Sequence, residues 1–428
     1  MQVTMAYGRR GLPIELPDDR EVTVIRKPEM PVVGSPADAV RAALDAPCGS
    51  PRLEEAARGV KSACILVCDV TRPVPNGLLL RPVIERLAAG GIPPGQVTVL
   101  VATGMHRPNE GAELAEVIGD PWVLEHCRVE NHDATCAADH ATLGTTTAGV
   151  PVRVDRRFLE AGVRIALGLV EPHFMAGWSG GRKLIAPGVA HADTVMALHA
   201  AALVGHRRAD NCILEGNPVH GAQLEILAMV GTALAVNVVI DERRRLSFVA
   251  FGDMAQSHAA AVAFAEPHFR VPVPRRFPVV VSSAAGWPLD ATWYQAVKGV
   301  VAAAPIVERR GELVLVSECS EGLGSVGFRR AQERLASLGA QQFLAEARSR
   351  PRAEYDEWET VMLLKALEPG AAVTLATSGL SAEDARIAGV RVSRDPASAV
   401  RDALAKAAGP VAVVPEGPYV APYVKERA

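Results

Sequence analysis

Short apolar runs recur along the chain, and each ends in a polar loop that carries glycine or proline. Residues 62–68, 96–101 and 164–170 are three such runs, and a helical pattern over residues 78–89 follows the first. Runs of this length bounded by turn residues are typical of buried strands. Strands that alternate with helices predict a parallel sheet covered by helices on both faces.

A second series of the same kind begins after a proline-rich segment. Its strand patterns lie at residues 277–283, 312–316 and 372–376. Helical patterns lie between them, at residues 294–303 and 329–348. The chain therefore repeats the strand and helix alternation in two separate stretches, which is typical of two α/β units.

The proline-rich segment at residues 271–278 is the predicted domain boundary. A chain of 428 residues exceeds what one hydrophobic core usually organises, which also favours two domains. We expect an α/β protein with domains at residues 1–270 and 271–428, each built on a largely parallel sheet flanked by helices. The active site is expected in the cleft between them, and the proline-bearing C-terminal segment is expected to pack back on the first domain.

Composition and charge exclude several classes of function. The net charge of −3 and the pI near 6.4 give no electrostatic case for nucleic acid or an anionic membrane. No run approaches the ~18 to 20 apolar residues needed to cross a bilayer, and the start lacks a signal-peptide pattern. The seven cysteines form no CxxC pair, which argues against a disulfide framework or a zinc knuckle. We expect a cytoplasmic protein without nucleic-acid or membrane partners.

Two predicted strand ends carry candidate reactive groups, at the edge where open α/β sheets bind ligands. Asp69 and Arg72 follow the first strand. An arginine there suits a carboxylate or phosphate, and an ion pair that braces the turn is an equally good alternative. His106 follows the second strand and is a candidate general base, although a loop histidine bonded to backbone is the commoner case.

The loop after the third predicted strand is the most informative segment. It contains His173 and the run Ser179-Gly180-Gly181-Arg182-Lys183. Glycines let the backbone approach a ligand closely, and the arginine and lysine add positive charge. The spacing is not that of a Walker motif, so ATP hydrolysis is not expected. Lys183 is a candidate for covalent attachment if burial lowers its pKa.

Two further groups are candidates for metal and substrate binding. His191 and His199 lie about two helical turns apart, and either can ligate a soft or borderline metal. Tyr294 or Gln295 and Lys298 lie three or four residues apart, so they can present donors from one helix face. A solvated helix start is the alternative for this second group.

Together these segments resemble the nickel-pincer lactate racemase family. The matching pieces span roughly residues 60 to 300 and follow the order of the family. They are Asp69-x-Thr71-Arg72-Pro73, Thr103-Gly104-x-His106-Arg107, Glu171-Pro172-His173 with Ser179-Gly180-Gly181-Arg182-Lys183 and Pro187-Gly188, His199, Glu215-Gly216-Asn217-Pro218-Val219, and Tyr294-Gln295-x-x-Lys298.

The resemblance implies a cofactor and its contacts. The family cofactor is a nickel-bearing pyridinium-3-thioamide-5-thiocarboxylic acid mononucleotide, joined covalently to the lysine that matches Lys183. His199 matches the nickel ligand. Further cofactor contacts are implied for Asp69, Thr71, Arg72, Ser179, Gly180, Gly181 and Pro187. Substrate contacts are implied for Arg72, Tyr294, Gln295 and Lys298. The proteins that synthesise the cofactor are the implied partners, besides a small 2-hydroxy acid substrate.

The implied reaction inverts C2 of that 2-hydroxy acid by reversible hydride transfer. His106 or His173 takes the hydroxyl proton while hydride leaves C2, and the other histidine serves the mirror-image substrate. Imidazole can act as acid or base near neutral pH, as both roles require. Trp178 is expected to narrow or reshape the pocket, and Gly299 to leave room for a side chain larger than the methyl group of lactate.

Several alternatives are left open by the sequence. An epimerase acting at C2 of a sugar acid, or a racemase of malate or an aryl lactate, would use the same cofactor. A zinc-dependent hydrolase would use His191 and His199. A non-catalytic nickel or cofactor-binding protein is disfavoured because His106 and His173 accompany Lys183 and His199. A homo-oligomer is compatible with the sequence, which does not fix the oligomeric state.

Overall fold

The computed structural model describes residues 1–406 and 409–425. The described strands are β1 (Gln2–Met5), β2 (Leu12–Glu15), β3 (Val22–Val24), β4 (Ala63–Cys68), β5 (Val97–Ala102), β6 (Arg128–Asn131), β7 (His140–Thr145), β8 (Pro151–Asp155), β9 (Val163–Leu169), β10 (Pro172–His173), β11 (Gly177–Trp178), β12 (Leu234–Ile240), β13 (Leu246–Asp253), β14 (Arg270–Val273), β15 (Phe277–Ser283), β16 (Val307–Val316), β17 (Ala372–Ala376), β18 (Arg391–Ser393), β19 (Val411–Val414) and β20 (Ala421–Val424).

The described α-helices alternate with these strands. They are α1 (Pro36–Asp45), α2 (Leu53–Ala56), α3 (Asn76–Ala89), α4 (Gly111–Ile118), α5 (Pro121–His126), α6 (Arg156–Leu159), α7 (Arg182–Ile185), α8 (Ala192–Leu198), α9 (Ala201–Val204), α10 (Pro218–Val230), α11 (Met254–Phe269), α12 (Trp293–Ala303), α13 (Val326–Ser349), α14 (Glu357–Leu367), α15 (Ala382–Ile387) and α16 (Pro396–Lys406).

The first sheet has its strands in the order β13-β12-β9-β4-β5-β6. Neighbouring strands run parallel except β13, which is antiparallel to β12. Ile65 of β4 lies between Val99 of β5 and Ile165 of β9, and all three side chains are buried. Helices α1 and α3 cover this face, whereas α7 and α10 cover the opposite one. The strands are nearly continuous apolar runs because both faces are covered.

The second sheet has the order β18-β17-β16-β15-β19-β3, and all of its neighbours run parallel. Helices α12, α13 and α14 pack on one face around Val280 and Leu315. Helix α16 and the β1–β2 hairpin pack on the other face around Val281. The predicted α/β class with two largely parallel sheets flanked by helices is confirmed.

Strand β3 lies in the second sheet although it precedes the first sheet in the chain. Its residues Val22 and Val24 pair with Val411 and Val413 of β19. The sequence analysis grouped residues 1–270 together, because a strand of three residues gives no local sign of its partner. The pairing covers the N–H and C=O groups that β19 would otherwise present at a sheet edge.

The C-terminal strand β20 pairs in parallel with β14, which forms the connection between the two sheets. The C-terminal segment therefore returns to β14, which overlaps the start of the predicted boundary at residues 271–278. Residues 426–428 of that prediction lie outside the described chain. Among the described helices, none is long and apolar enough to cross a membrane.

Candidate active site

One cavity of about 730 Å³ collects almost all of the side chains singled out in the sequence. The first domain contributes Asp69, Thr71, Arg72, His106, His173, Ser179, Gly180, Lys183, Pro187 and His199. The second contributes Tyr294, Gln295 and Lys298. Gly181 is the exception: it is not part of the cavity lining, and its N–H donates to Oδ1 of Asn237 at 2.9 Å. The strand ends of one domain thus face a helix of the other.

His106 is held by a buried carboxylate. Its Nδ1 lies 2.6 Å from Oδ2 of Asp69, a residue only 5% exposed. Burial alone would raise the pKa of Asp69, but hydrogen bonds from His106 and Thr71 lower it below the ordinary value. Asp69 is therefore ionised and accepts the Nδ1 proton of His106. The other ring nitrogen, Nε2, keeps its lone pair and can accept a proton.

His173 has the opposite arrangement. Its Nδ1 accepts hydrogen bonds from the backbone N–H groups of Met175 and Ala176, at 3.3 and 3.2 Å. The neutral ring therefore carries its proton on Nε2. Burial lowers the pKa of His173 well below 6.5, and the charges of Lys183 and Arg72 lower it further. At neutral pH this ring is a hydrogen-bond donor through Nε2.

Lys183 follows two glycines with positive φ, Gly180 at 98° and Gly181 at 23°, which turn the chain into the short helix α7. Burial lowers the pKa of Lys183 well below 10.5, and the neighbouring charges of Arg72 and Arg182 act in the same direction. Burial accordingly favours the neutral form of the amine, which is the form that reacts as a nucleophile.

His199 ends helix α8 and has one nitrogen committed to the backbone. Its Nδ1 donates to the carbonyl of Val195 at 2.8 Å, so Nε2 is left with its lone pair. Burial lowers the pKa of His199 to about 4. The ring packs against Trp358 with a centroid distance of 4.5 Å. A neutral, oriented imidazole with a free Nε2 is the state in which histidine binds metals.

Arg72 is ion-paired across the cavity wall with Glu171. Both residues follow strands of the first sheet, β4 and β9, which are neighbours. The sequence left open whether Arg72 forms an ion pair that braces the turn. Arg72 does have an acidic partner, but that partner is Glu171; Asp69 is hydrogen-bonded to His106. The arginine still lines the cavity, so its remaining donors face any ligand there.

Helix α12 presents the second-domain side of the cavity. Thr292 caps it by accepting the N–H of Gln295 at 3.3 Å. Lys298 donates to Oε1 of Gln295 at 2.5 Å, and burial together with Arg72 lowers the pKa of Lys298 to about 8. Tyr294 donates to Oδ1 of Asp356 at 3.1 Å. Among the described residues no carboxylate is hydrogen-bonded to the lysine, although the charges of Glu359 and Glu171 act on it.

Two family models together match most of the chain. The lactate racemase N-terminal domain matches residues 7–211, and the lactate racemase C-terminal domain matches residues 274–420. The chain belongs to the lactate racemase family. The resemblance drawn from the motifs is thereby confirmed, and this family member is an enzyme of the isomerase class.

Individual relatives agree with this membership. The family member is 31% identical to the lactate racemase of Thermoanaerobacterium thermosaccharolyticum over 369 residues, 85% of each chain. It is 31% identical over 336 residues, 78% of each chain, to the lactate racemase of Lactiplantibacillus plantarum. The structure of the T. thermosaccharolyticum lactate racemase apoprotein matches all of both chains with a TM-score of 0.89 and 27% identity. A Thermotoga maritima crystal structure, 16% identical with a TM-score of 0.67, covers 91% of this chain and 98% of its own and shares the fold alone.

Two expectations about the pocket of this lactate racemase family member are wrong. Trp178 is buried against Phe269 and does not line the cavity. Gly299 does not open the pocket, because a Cβ there would lie 2.6 Å from the carbonyl oxygen of Ser283 and 2.8 Å from Leu315. Both residues are packed inside the protein. Their positions in the sequence next to motif residues did not show that they face away from the cavity.

His191 is not brought to the cavity of this family member. It caps the N-terminus of α8 while His199 lies at the C-terminus, and its ring packs edge-on against His140. Arg153 lies 3.1 Å from its ring nitrogens. A zinc hydrolase built on His191 and His199 therefore has no common site among the described residues.

Several residues of the cavity lining were not predicted from the sequence. Glu359 is 3% exposed, and its Oε2 has no hydrogen-bond partner among the described residues. Burial raises the pKa of Glu359 well above its usual value. Asp356 and Trp358 stand beside it in the lining. No pattern in the sequence separates these residues from ordinary helix surface, because helix α14 is buried on all sides over its first two turns.

Proposed function

We propose that the chain inverts C2 of a small 2-hydroxy acid with the help of a nickel-pincer nucleotide joined to Lys183. The observation that carries the proposal is the meeting, in one cavity, of a buried lysine with a lowered pKa, an oriented imidazole and two histidines in complementary proton states. The named activity of the lactate racemase relatives supports the same reaction. Proteins that make the nucleotide would be required partners.

The residues present fit such a cofactor. Burial lowers the pKa of Lys183 and so favours the amine form that can make the covalent link, and Nε2 of His199 can coordinate nickel, which imidazole ligates well. When bound, the nucleotide supplies the centre that accepts hydride from C2 and returns it. Asp69, Thr71, Arg72, Ser179, Gly180 and Pro187 would contact it from the cavity wall.

The two histidines would hold and move the hydroxyl proton. Nε2 of His106 takes that proton from one enantiomer, since Asp69 keeps the ring proton on Nδ1. His173 meanwhile donates a hydrogen bond from Nε2 towards the substrate oxygen. The mirror-image substrate needs a lone pair on Nε2 of His173. Its ring proton must then move to Nδ1, at the expense of the bonds from Met175 and Ala176.

Lys298 would bind the substrate carboxylate. With a pKa of about 8 it is charged at neutral pH, and within the described chain its hydrogen-bond partner is the amide of Gln295. Arg72, although paired with Glu171, would add a second cation at the boundary between cofactor and substrate, and Tyr294 would complete the wall. Fixing the carboxylate and the hydroxyl at once would leave C2 exposed to attack on either face.

An epimerase of a sugar acid is the second candidate, favoured by the acidic wall of the cavity. Asp356 and Glu359 lie on the same side as Lys298. Burial raises the pKa of Asp356 and of Glu359, which favours the protonated forms that can donate to hydroxyl groups as well as accept from them. A panel of lactate, malate, an aryl lactate and a sugar acid, followed by C2 inversion, would separate these substrates.

The cofactor proposal is tested by intact mass and metal content. The wild-type chain, Lys183→Ala, His199→Ala and the surface control Lys61→Ala would be purified from cells that make the nucleotide. We expect the wild type and the control to carry the adduct with nickel. Lys183→Ala should lose the adduct, and His199→Ala should keep the adduct with little nickel. An unmodified wild-type mass without nickel from such cells would contradict the proposal.

A further inference from the structure

Three metal-ligating side chains are buried together outside the cavity. His132 follows strand β6, His140 begins β7 and Asp155 ends β8. Their exposed fractions are 3%, 3% and 0%, and their ligand atoms all lie within 4.8 Å of one another. None of the three lines the cavity that holds His199. They come from separate segments of the chain, so the fold itself assembles the cluster.

The two imidazoles are oriented towards each other. Nδ1 of His140 donates to the carbonyl of Cys136 at 2.8 Å, which leaves Nε2 with its lone pair. That atom lies 2.9 Å from Nε2 of His132. Two Zn–N bonds of about 2.05 Å at a tetrahedral angle separate the nitrogens by about 3.3 Å. If the two Nε2 atoms moved apart by a few tenths of an ångström, one metal ion could replace the single proton between the rings.

Asp155 is positioned by a network that also balances its charge. Oδ2 of Asp155 accepts from Nη2 of Arg157 at 2.6 Å, and Oδ1 accepts from Nε at 3.0 Å. The same guanidinium also pairs with Glu130 at 2.6 Å. Two carboxylates thus share one cation, and the cluster keeps an excess negative charge that a divalent ion can neutralise. Carboxylates that bind metals are commonly fixed by hydrogen bonds of this kind.

We propose that His132, His140 and Asp155 bind a divalent transition-metal ion of the zinc class, at a site separate from the one at His199. Two imidazoles and a carboxylate are a ligand set that zinc, cobalt and nickel accept. His191 packs edge-on against His140 at a centroid distance of 5.1 Å. Its Nδ1 accepts the N–H of Asp193, so His191 is not one of the proposed ligands.

The ion would brace the loop that carries His106. The backbone N–H of His132 donates to Val101 at 3.1 Å, and Thr103 donates to the carbonyl of His132 at 2.8 Å. Thr103 lies three residues before His106 and lines the cavity. Metal binding would tie the β7–β8 hairpin to this loop, so its role is structural and does not depend on the reaction proposed above.

The test is a titration of the full-length chain with Co²⁺, whose visible absorption reports its ligands. The His199→Ala chain is used so that the cavity histidine cannot contribute. We expect one tightly bound equivalent, displaced by Zn²⁺, and a higher unfolding temperature with either ion. In the same background, His140→Phe should weaken binding by at least about 100-fold. The exposed histidine of the control variant His126→Phe should have no effect.

Two results would overturn the proposal: no tight cobalt equivalent in the His199→Ala chain, or unchanged affinity in His140→Phe. Circular dichroism of the metal-free chains checks folding. If His140→Phe does not fold, Asp155→Asn, which keeps the shape of the side chain, decides by the same criterion. Cobalt binding and unfolding temperature are both measured without catalytic activity. A negative result for this metal site would therefore leave the racemase proposal untouched, and the reverse also holds.

Discussion

At the scale of single residues, one hydrogen bond determines which nitrogen of His106 can act. In Asp69→Asn the amide can donate to Nδ1, which would place the ring proton on Nε2 and remove the acceptor. We expect kcat to fall by about 10² to 10⁴-fold with little change in unfolding temperature. Asp120→Asn, which alters a carboxylate bonded to Arg81 outside the cavity, is the control. A loss of less than threefold in Asp69→Asn would show that Asp69 does not set the tautomer.

The charge of Lys298 gives a second prediction at this scale. Burial and Arg72 lower its pKa to about 8, so the charged form is present below that pH and is lost as pH rises through it. If Lys298 binds the carboxylate, KM should rise above about pH 8 while kcat changes less. Lys298→Arg, whose guanidinium stays charged, should abolish the rise. A KM that is flat from pH 7 to 9.5 in the loaded enzyme would exclude this role.

The sequence indicated which candidate residues meet in the cavity better than it indicated their proton states. His106, His173 and Lys183 were visible because each follows a predicted strand end or a glycine-rich turn. The proton position on His173 was not visible, because it depends on the backbone N–H groups of Met175 and Ala176. Glu359 was missed because its burial results from packing by elements distant in the sequence.

At the scale of elements, a glycine in strand β9 lets the loop that precedes Lys183 lie directly on the sheet. A Cβ on Gly168 would be 2.5 Å from the N of Gly181 and 3.0 Å from Cα of Gly180. Gly168→Ala should therefore displace the loop, destabilise the chain by about 1 to 3 kcal/mol and reduce cofactor attachment. Thermal unfolding and intact mass measure these effects. Gly95→Ala, where a Cβ meets open space, is the control, and equal behaviour of the two variants would contradict the prediction.

Elements with long apolar runs were predicted well, and short ones were not. Strands β4, β5 and β9 were found because burial on both faces leaves a continuous apolar pattern. The two-residue strands β10 and β11 lay in a segment interpreted as loop, since their pairing rests on only two residues each. Helix α13 was predicted at residues 329–348, but Gly339 interrupts it with non-helical angles.

At the scale of the whole molecule, the β1–β2 hairpin and strand β3 complete the second domain. Val3, Met5 and Ile14 are buried against that sheet, and β3 pairs with β19. A chain lacking residues 1–24 should lose this core and expose the edge of β19. We expect a lower unfolding temperature and concentration-dependent association, measured by calorimetry and size-exclusion chromatography. A truncated chain that stays monomeric with the original unfolding temperature would contradict the prediction.

The alternation of strands and helices predicted the two-sheet architecture. It did not predict that β3, near the start of the chain, belongs to the second sheet. Val22 and Val24 give a pattern too short to indicate a partner about 390 residues away. Pairing between strands this far apart in the chain depends on how the whole sheet assembles. A local sequence pattern therefore cannot predict it.

The pairing of β3 with β19 also imposes an order on biosynthesis. A ribosome that adds about 5 to 20 residues per second makes β19 on the order of 20 to 80 s after β3. During that interval all strands of the first sheet leave the ribosome and can fold, while β3 has no partner to pair with. The second sheet can therefore close only after β19 has been made, when all strands of the first sheet have already been released.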